Sequence, residues 1–214
     1  MPVRPPSRTK PPVAESGDAE APESALERRR APRQRSPKPQ PADVTAVLVA
    51  HDGAAWLPEA LEALAQSTRV PAHVVCVDTG SRDGSAELLE QAFGDVIRLP
   101  RDTGYGAAVA EGLLHAPAAT WVWLLHDDVA VEPTTLQALL EEAEASPSCV
   151  LLGPKVRDWN DPRYLVEIGI TTDAVGHRET GLERREYDQG QHDTVRDVLA
   201  VGTAAALVRR DVWD

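Results

Sequence analysis

Trp121-Val122-Trp123-Leu124-Leu125-His126-Asp127-Asp128 is the stretch whose reading decides the fold. Five apolar residues run without a break into a polar triplet holding two carboxylates. A run this short, rich in aromatic and branched side chains, reads as a central parallel strand covered on both faces. The acids then stand where the chain leaves the sheet. In open α/β sheets ligands sit outside the carboxyl ends of the strands. Carboxylates there can hold a divalent cation and, through it, a phosphate-bearing ligand.

On either side the chain alternates between strand and helix. Val44–Ala50 reads as a buried strand, followed by the turn His51-Asp52-Gly53 and a helix carrying Leu57, Leu61 and Leu64, with Pro58 in its first turn. His73–Val77 is a second strand, ending at Asp78; Ser81 or Asp83 is available to cap the helix that carries Leu88 and Leu89. Asp95–Leu99 is a third strand, and the loop Asp102-Thr103-Gly104-Tyr105-Gly106 opens an alanine-rich helix. A helix with Leu136, Leu139, Leu140 and Ala143 on one face follows the opening strand, and Cys149–Gly153 closes a fifth strand. Four such alternations predict an α/β, doubly wound, mostly parallel sheet. Residues 154–197 are polar and read as a loop-rich insertion over the carboxyl edge, with Leu165–Ile170 strand-like. Val198–Val208 is apolar again and is expected to return to the core, and an amphipathic element starting at Arg209 has no stop before Asp214.

Composition narrows the function classes. The 214 residues hold 22 Lys/Arg and 34 Asp/Glu. Residues 1–41 take nine of the bases and five of the acids, leaving 13 bases against 29 acids for the remainder. A body that acidic is a poor binder of nucleic-acid phosphates, so no nucleic-acid partner is expected. Residues 1–41, rich in Pro and Arg with almost no large apolar residue, are expected to be a disordered tail before a domain over 42–214. Arg28-Arg29-Arg30 offers a contact for an anionic membrane surface, although a solvated tail is the favoured reading. Cys76 and Cys149 lie in apolar runs and read as reduced thiols of a cytoplasmic protein. The N-terminus lacks the apolar core of a signal peptide.

Asp52, Asp78 and the Asp127-Asp128 pair each follow a strand, and parallel strands end along one edge, so these carboxylates are expected to converge. A single aspartate in such a turn is more often a cap. Three edges, one with adjacent acids, favour a site.

These residues resemble family 2 glycosyltransferases, which share the GT-A (Rossmann-like) fold. The likeness rests on Val49-Ala50-His51-Asp52-Gly53, on Val77-Asp78-Thr79-Gly80-Ser81-Arg82-Asp83-Gly84-Ser85, on the Asp102–Gly106 loop and on His126-Asp127-Asp128 followed by Glu132-Pro133. Leu125–Asp128 and the late Gly202-Thr203 and Arg209-Arg210 segment are most similar to large actinobacterial members that assemble cell-wall or surface polysaccharide. The resemblance implies an enzyme that moves a sugar from a nucleoside-diphosphate sugar to a glycan or lipid-linked acceptor, with inversion; the expected location is the cytoplasm, with the cytoplasmic face of the membrane as the alternative. It places Asp78 on the nucleobase, the Ala50-His51-Asp52 turn against base and ribose, and Gly104 and Tyr105 in the donor loop. His126-Asp127-Asp128 matches the DXD triplet that holds Mg²⁺ or Mn²⁺ on the pyrophosphate. In an extended segment i and i+2 share a face, which assigns Asp128 to the metal and Asp127 to ribose or donor sugar. His126 is then either a second ligand, softer than Mg²⁺ prefers, or a hydrogen-bonding wall residue. The catalytic base is expected beyond Asp214, leaving open a non-catalytic donor-binding fragment.

The chain departs from the family pattern at Asp102 and Ala110, where Asn is common, and at His126, where Asp is common. Gly104-Tyr105-Gly106-Ala107-Ala108-Val109 also invites a dinucleotide-binding reading, with Asp127 about twenty residues on. That reading is disfavoured: Val109 stands at the third small position, the loop follows the third strand, and two adjacent acids exceed what one ribose needs. A nucleotidyltransferase would need a Gly-rich, basic loop after the first strand, and there is none.

Overall fold

The computed structural model describes residues 40–213. The expected disordered tail and its Arg28-Arg29-Arg30 run lie outside the described residues, up to position 39. Positions 40 and 41 belong instead to the first strand, β1 (Gln40–Ala50), which therefore starts four residues before Val44. Gln40, Pro41 and Ala42 pair with Arg69, Val70 and Pro71 of β2 (Arg69–Asp78), and the register then shifts between Ala42 and Thr45.

The expected alternation is present. Helix α1 (Leu57–Ala65), with Pro58 in its first turn, joins β1 to β2. α2 (Ser85–Phe93), β3 (Val96–Arg98), α3 (Tyr105–Leu114), β4 (Trp121–His126) and α4 (Thr135–Ala145) follow. β1 is parallel to both β2 and β4, and β2 is parallel to β3. Val49 stands beside His126 and Ala50 beside Asp78, so these three strands end nearly level.

β1 and β4 are buried on both faces. Val44, Ala46, Leu48, Trp123 and Leu125 pack on one side with Leu57, Leu89, Leu136 and Leu139 of α1, α2 and α4. Val47, Val49, Val122 and Leu124 pack on the other with Ala108, Val109 and Leu113 of α3. α3 comes close enough that a Cβ at Gly112 would meet Val47 and Val77 methyls at 3.1 Å. That helix–sheet contact is tight enough that a side chain would have to push the valine methyls back by a few tenths of an ångström. Gly104 and Gly106, by contrast, have open space where a Cβ would stand. The loop they form follows the edge strand β3, not the central β1. The dinucleotide reading therefore has neither its tight turn nor its place in the sheet.

Beyond α4 the chain departs from the parallel pattern. The expected fifth strand is only β5 (Leu151–Leu152). The polar insertion forms two small antiparallel ribbons, β6 (Val156–Arg157) with β7 (Leu165–Glu167) and β8 (Thr171–Thr172) with β9 (Arg178–Glu179). Of the apolar run Val198–Val208, Leu199 is 72% exposed, and the core takes only Ala205 to Val208. β10 (Leu207–Arg209) lies between β4 and β5, antiparallel to each, giving the order β3-β2-β1-β4-β10-β5. A short helix, α5 (Arg210–Trp213), follows it. No helix among the described residues is long and apolar enough to cross a membrane.

Trp123 joins the parallel and antiparallel parts. Its side chain is fully buried, and its indole N–H donates to the Ala205 carbonyl at 3.0 Å. Trp123→Ala should cost about 3–5 kcal/mol in urea unfolding. Trp123→Phe should cost about 1–3 kcal/mol, because it leaves the Ala205 oxygen buried without a donor.

Candidate functional site

The site grows from the turn after β1. Four consecutive amides there, His51 to Ala54, are each taken by a side chain from another turn. His51 N–H donates to Asp127 Oδ2 at 2.7 Å and Asp52 N–H to Ser81 Oγ at 2.9 Å. Gly53 N–H donates to Ser85 Oγ at 2.8 Å and Ala54 N–H to Asp83 Oδ2 at 2.9 Å. Ser81 and Asp83 were expected as caps of the following helix, but Gly84 occupies that position. Asp83 reaches the start of α2 only through the amide and hydroxyl of Ser85. Gly53 is required by close approach, since a Cβ there would overlap the Asp127 carboxylate.

His51 and Thr79 settle each other's protons. The Thr79 hydroxyl donates to the Ala50 carbonyl at 3.1 Å, leaving it and the Thr79 carbonyl as acceptors. His51 Nδ1, 2.8 and 3.1 Å from those oxygens, therefore carries the ring proton. Asp52 adopts a positive φ of 54° and pairs with Arg101 while accepting the Arg82 amide at 2.8 Å. The Arg101 guanidinium, followed by the Arg82 amide, holds the Asp52 carboxyl down at about 2. Arg101 also donates to the Gly80 carbonyl at 3.0 Å.

Asp78 is 2% exposed. Its Oδ2 accepts the amides of Gly80 and Ser81 at 3.0 and 3.1 Å, whereas Oδ1 is buried without a hydrogen-bond partner among the described residues. Buried orphan acceptors are rare enough to call for an explanation.

β4 ends at His126, and Asp127 and Asp128 form a turn. The i, i+2 alternation of an extended segment therefore does not describe this triplet: His126 and Asp127 line one cavity, and Asp128 is exposed beside them. Burial, with the Asp128 charge adding to it, raises the Asp127 carboxyl, while the His51 amide opposes the shift. The Asp128 carboxylate has no hydrogen-bond or ion-pair partner among the described residues. The His126 ring stacks on Tyr105 with centroids 4.1 Å apart, and its Nε2 lies 2.8 Å from Thr203 Oγ1. Burial lowers the His126 pKa, against the pull of Asp128. Tyr105 donates from its hydroxyl to the Leu125 carbonyl at 3.3 Å, and burial raises its phenol.

The cavity has a volume of about 300 Å³ and opens at the carboxyl ends of β1 and β4. It collects His51, Tyr105, His126 and Asp127 from the residues expected on sequence. Ala50, Asp52, Asp78, Gly104 and Asp128 lie outside its lining. Val49, Thr79, Arg101, Asp102 and Thr103 complete the wall, with Arg101 its one Lys or Arg. Among the described residues no three His, Cys, Asp or Glu side chains gather into a metal site.

The sequence description of glycosyl transferase family 2 matches residues 45–214. The chain belongs to that family. The family 2 chain is 27% identical to the galactofuranosyltransferase GlfT1 of Mycolicibacterium smegmatis over 175 residues, 80% of this chain and 57% of that protein. It is 32% identical to an N-acetylglucosaminyl-diphospho-decaprenol L-rhamnosyltransferase of Mycobacterium tuberculosis over 130 residues, 55% of this chain and 42% of that protein. It thus spans about half the length of the curated relatives it matches. Among solved structures, a mannosyltransferase of Pyrobaculum calidifontis in complex with GDP-Man and Mn²⁺ aligns with a TM-score of 0.46 at 18% identity, over 60% of this chain and 41% of that one.

Sequence reasoning passed over Arg101 and Thr79 as site residues of this family 2 chain. Arg101 had one signal, its place just after the third strand. Thr79 had another, its place directly after Asp78 at a strand end.

Two measurements probe the turn. Because the folded Asp52 carboxyl (about 2) lies below its unfolded value of about 3.9, its contribution is full above about pH 5 and is lost as pH falls through 2 toward about 1. Asp52→Asn, which tolerates the positive φ, should be less stable than the parent at pH 6, and the difference should shrink through pH 2 and vanish near about pH 1 in urea titrations. Gly53→Ala should cost about 1–3 kcal/mol by crowding Asp127, read from the same unfolding curves.

Proposed function

We propose that this chain is the donor-binding part of an inverting, metal-dependent glycosyltransferase. In this reading the whole protein moves a sugar from a nucleoside-diphosphate sugar to a glycan or lipid-linked acceptor in cell-wall or surface polysaccharide synthesis. The observation that carries the reading is the cavity at the carboxyl edge, with Asp127 on its wall and the unpartnered Asp128 beside it. Family membership and the mycobacterial relatives support it.

Each residue then has a chemical task. Asp78 Oδ1, the buried orphan acceptor, takes an N–H from the nucleobase, which a ketone-bearing pyrimidine or guanine supplies. His51 and Thr79 line the side on which base and ribose lie. Tyr105 and the Gly104 turn form the donor loop, and Arg101 offers positive charge to the ribose–phosphate end. Asp127 keeps one carboxylate oxygen free of the His51 amide for ribose or the donor sugar.

Asp127 and Asp128 also fit a divalent cation. They are hard oxygen donors, adjacent, and leave coordination positions for phosphate oxygens and water, as Mg²⁺ or Mn²⁺ prefers. His126 spends Nε2 on Thr203 and serves as a wall residue, not a second ligand. When bound, such a cation would offset the charge a departing diphosphate gains. The acidic surroundings make that help necessary, since 29 acids face 13 bases beyond residue 41. None of the cavity residues is assigned the base that deprotonates the acceptor.

The test reads donor binding, which this chain can perform by itself. Calorimetry with UDP and GDP should show binding that strengthens with Mn²⁺. Asp128→Ala should remove the Mn²⁺ dependence. Asp78→Asn should weaken the preferred nucleotide roughly 10- to 100-fold, the worth of one charge-assisted hydrogen bond. Equal affinities in parent and both variants would overturn the assignment.

A further inference from the structure

The polar insertion and the cavity are joined by one strap, residues 198–206, to which the donor reading gives no task. Its first half is fixed to the insertion at several residues, Leu199 among them, whose amide donates to the Ile170 carbonyl at 3.1 Å. Val198 packs against Gly169, where no side chain would fit. Ala200 exchanges backbone hydrogen bonds with Ile170 at 2.8 and 3.2 Å. Gly202 N–H donates to Glu167 Oε1 at 2.6 Å, and a Cβ at Gly202 would lie 2.7 Å from that oxygen. The other carboxylate oxygen of Glu167 is held by Arg178 at 2.8 Å. Between these anchors Val201 packs over Gly153, and just after them the Thr203 hydroxyl lies 2.8 Å from His126 Nε2. Downstream the strap is fastened to the sheet, by Trp123 to the Ala205 carbonyl and by the Leu124 amide to the Ala206 carbonyl at 2.8 Å.

We propose that Glu167 is a positioning residue of the cavity: by holding the Gly202 amide it places Thr203 against His126, and so sets the His126 wall from within the insertion. Its carboxylate touches neither His126 nor the cavity lining. It acts through one hydrogen bond at a glycine, followed one residue later by the hydroxyl that fixes the imidazole. The absence of a side chain at Gly202 is what lets the carboxylate reach the backbone. Arg178 orients that carboxylate from the facing ribbon but makes no contact with the strap that is needed for the link. Position 167 therefore matters because it accepts a hydrogen bond, not because it is charged. The consequence for donor affinity rests on the donor-binding reading above; the placement of His126 does not.

The experiment uses the 214-residue chain and two readouts. The first is the ¹⁵N chemical-shift pattern of the His126 imidazole in the ligand-free protein, which reports whether Nε2 is hydrogen-bonded and which tautomer it holds. Thr203→Val should shift that pattern, Glu167→Ala should shift it in the same direction, and Glu167→Gln, which keeps an acceptor for Gly202, should restore the parent pattern. Arg178→Ala, which removes the ion pair but leaves the acceptor, should also keep it. The second is calorimetry with UDP and Mn²⁺, in which Glu167→Ala and Thr203→Val should each weaken binding roughly three- to tenfold, the range of one neutral hydrogen bond.

If Glu167→Ala leaves the His126 pattern unchanged while Thr203→Val moves it, Glu167 does not position the wall. If Arg178→Ala or Glu167→Gln moves the pattern as far as Glu167→Ala, the insertion acts only by its general stability, and the proposal falls. Should the parent chain bind neither UDP nor GDP, the donor reading fails while the imidazole pattern still decides the role of Glu167.

Discussion

The amides of His51, Asp52, Gly53 and Ala54 are the constraint on which the site depends. They mark the place where β1 stops and the chain turns toward α1, so strand pairing does not use them and the helix has not yet begun to. Buried or half-buried N–H groups left in this state cost on the order of 1–3 kcal/mol each. Asp127, Ser81, Ser85 and Asp83 satisfy them in turn. The four acceptors come from the turns after β4 and β2, which are thereby locked to the turn after β1. A cavity between these turns keeps its shape only as long as that set of bonds holds.

The same accounting separates the acids. Asp83 and Asp52 are consumed locally, by amides, Ser85 and the Arg101 ion pair. Asp78 gives one oxygen to the turn amides and keeps the other buried without a partner. Asp127 gives one oxygen to His51 and keeps the other. Asp128 makes no such commitment. Spare acceptor capacity is costly where it is buried, as at Asp78 Oδ1, and the three acids that keep some lie along a single edge. That gradation, from consumed to half-consumed to free, is a stronger pointer to a ligand than the count of acids alone.

Much of this could be read in the sequence, and the parts that could not have a common cause. Uninterrupted apolar runs located β1, β2 and β4, because strands buried on both faces leave no polar residue to interrupt them. Strand ends then located Asp52, Asp78 and Asp127–Asp128 on one edge. Hydrophobicity, however, cannot state pairing order or direction. β10 was hidden in an eleven-residue apolar run of which only the last part enters the core. The division of roles by extended alternation at Asp127 and Asp128 lost its premise when β4 ended one residue sooner, at His126. Contacts between side chains far apart in sequence left no local trace. Thr203 lies 77 positions from His126, and Arg101 lies 49 from Asp52.

The direction of β10 accounts for why so remote a threonine reaches His126 at all. β10 runs antiparallel to β4, so the segment that feeds it must arrive from the carboxyl end of β4. That end is where His126, Asp127 and the cavity lie. Had β10 been parallel, its leading segment would have entered from the opposite edge, and residues 198–206 would have had no contact with the site. Reversal at this one strand therefore brings an ordinary connection behind the His126 wall. The segment also leaves the insertion before it enters the sheet, so the ribbons β6–β9 fix its height above the edge. Of the residues in those ribbons, Glu167 alone is given a link to the imidazole of His126, through the Gly202 amide and Thr203.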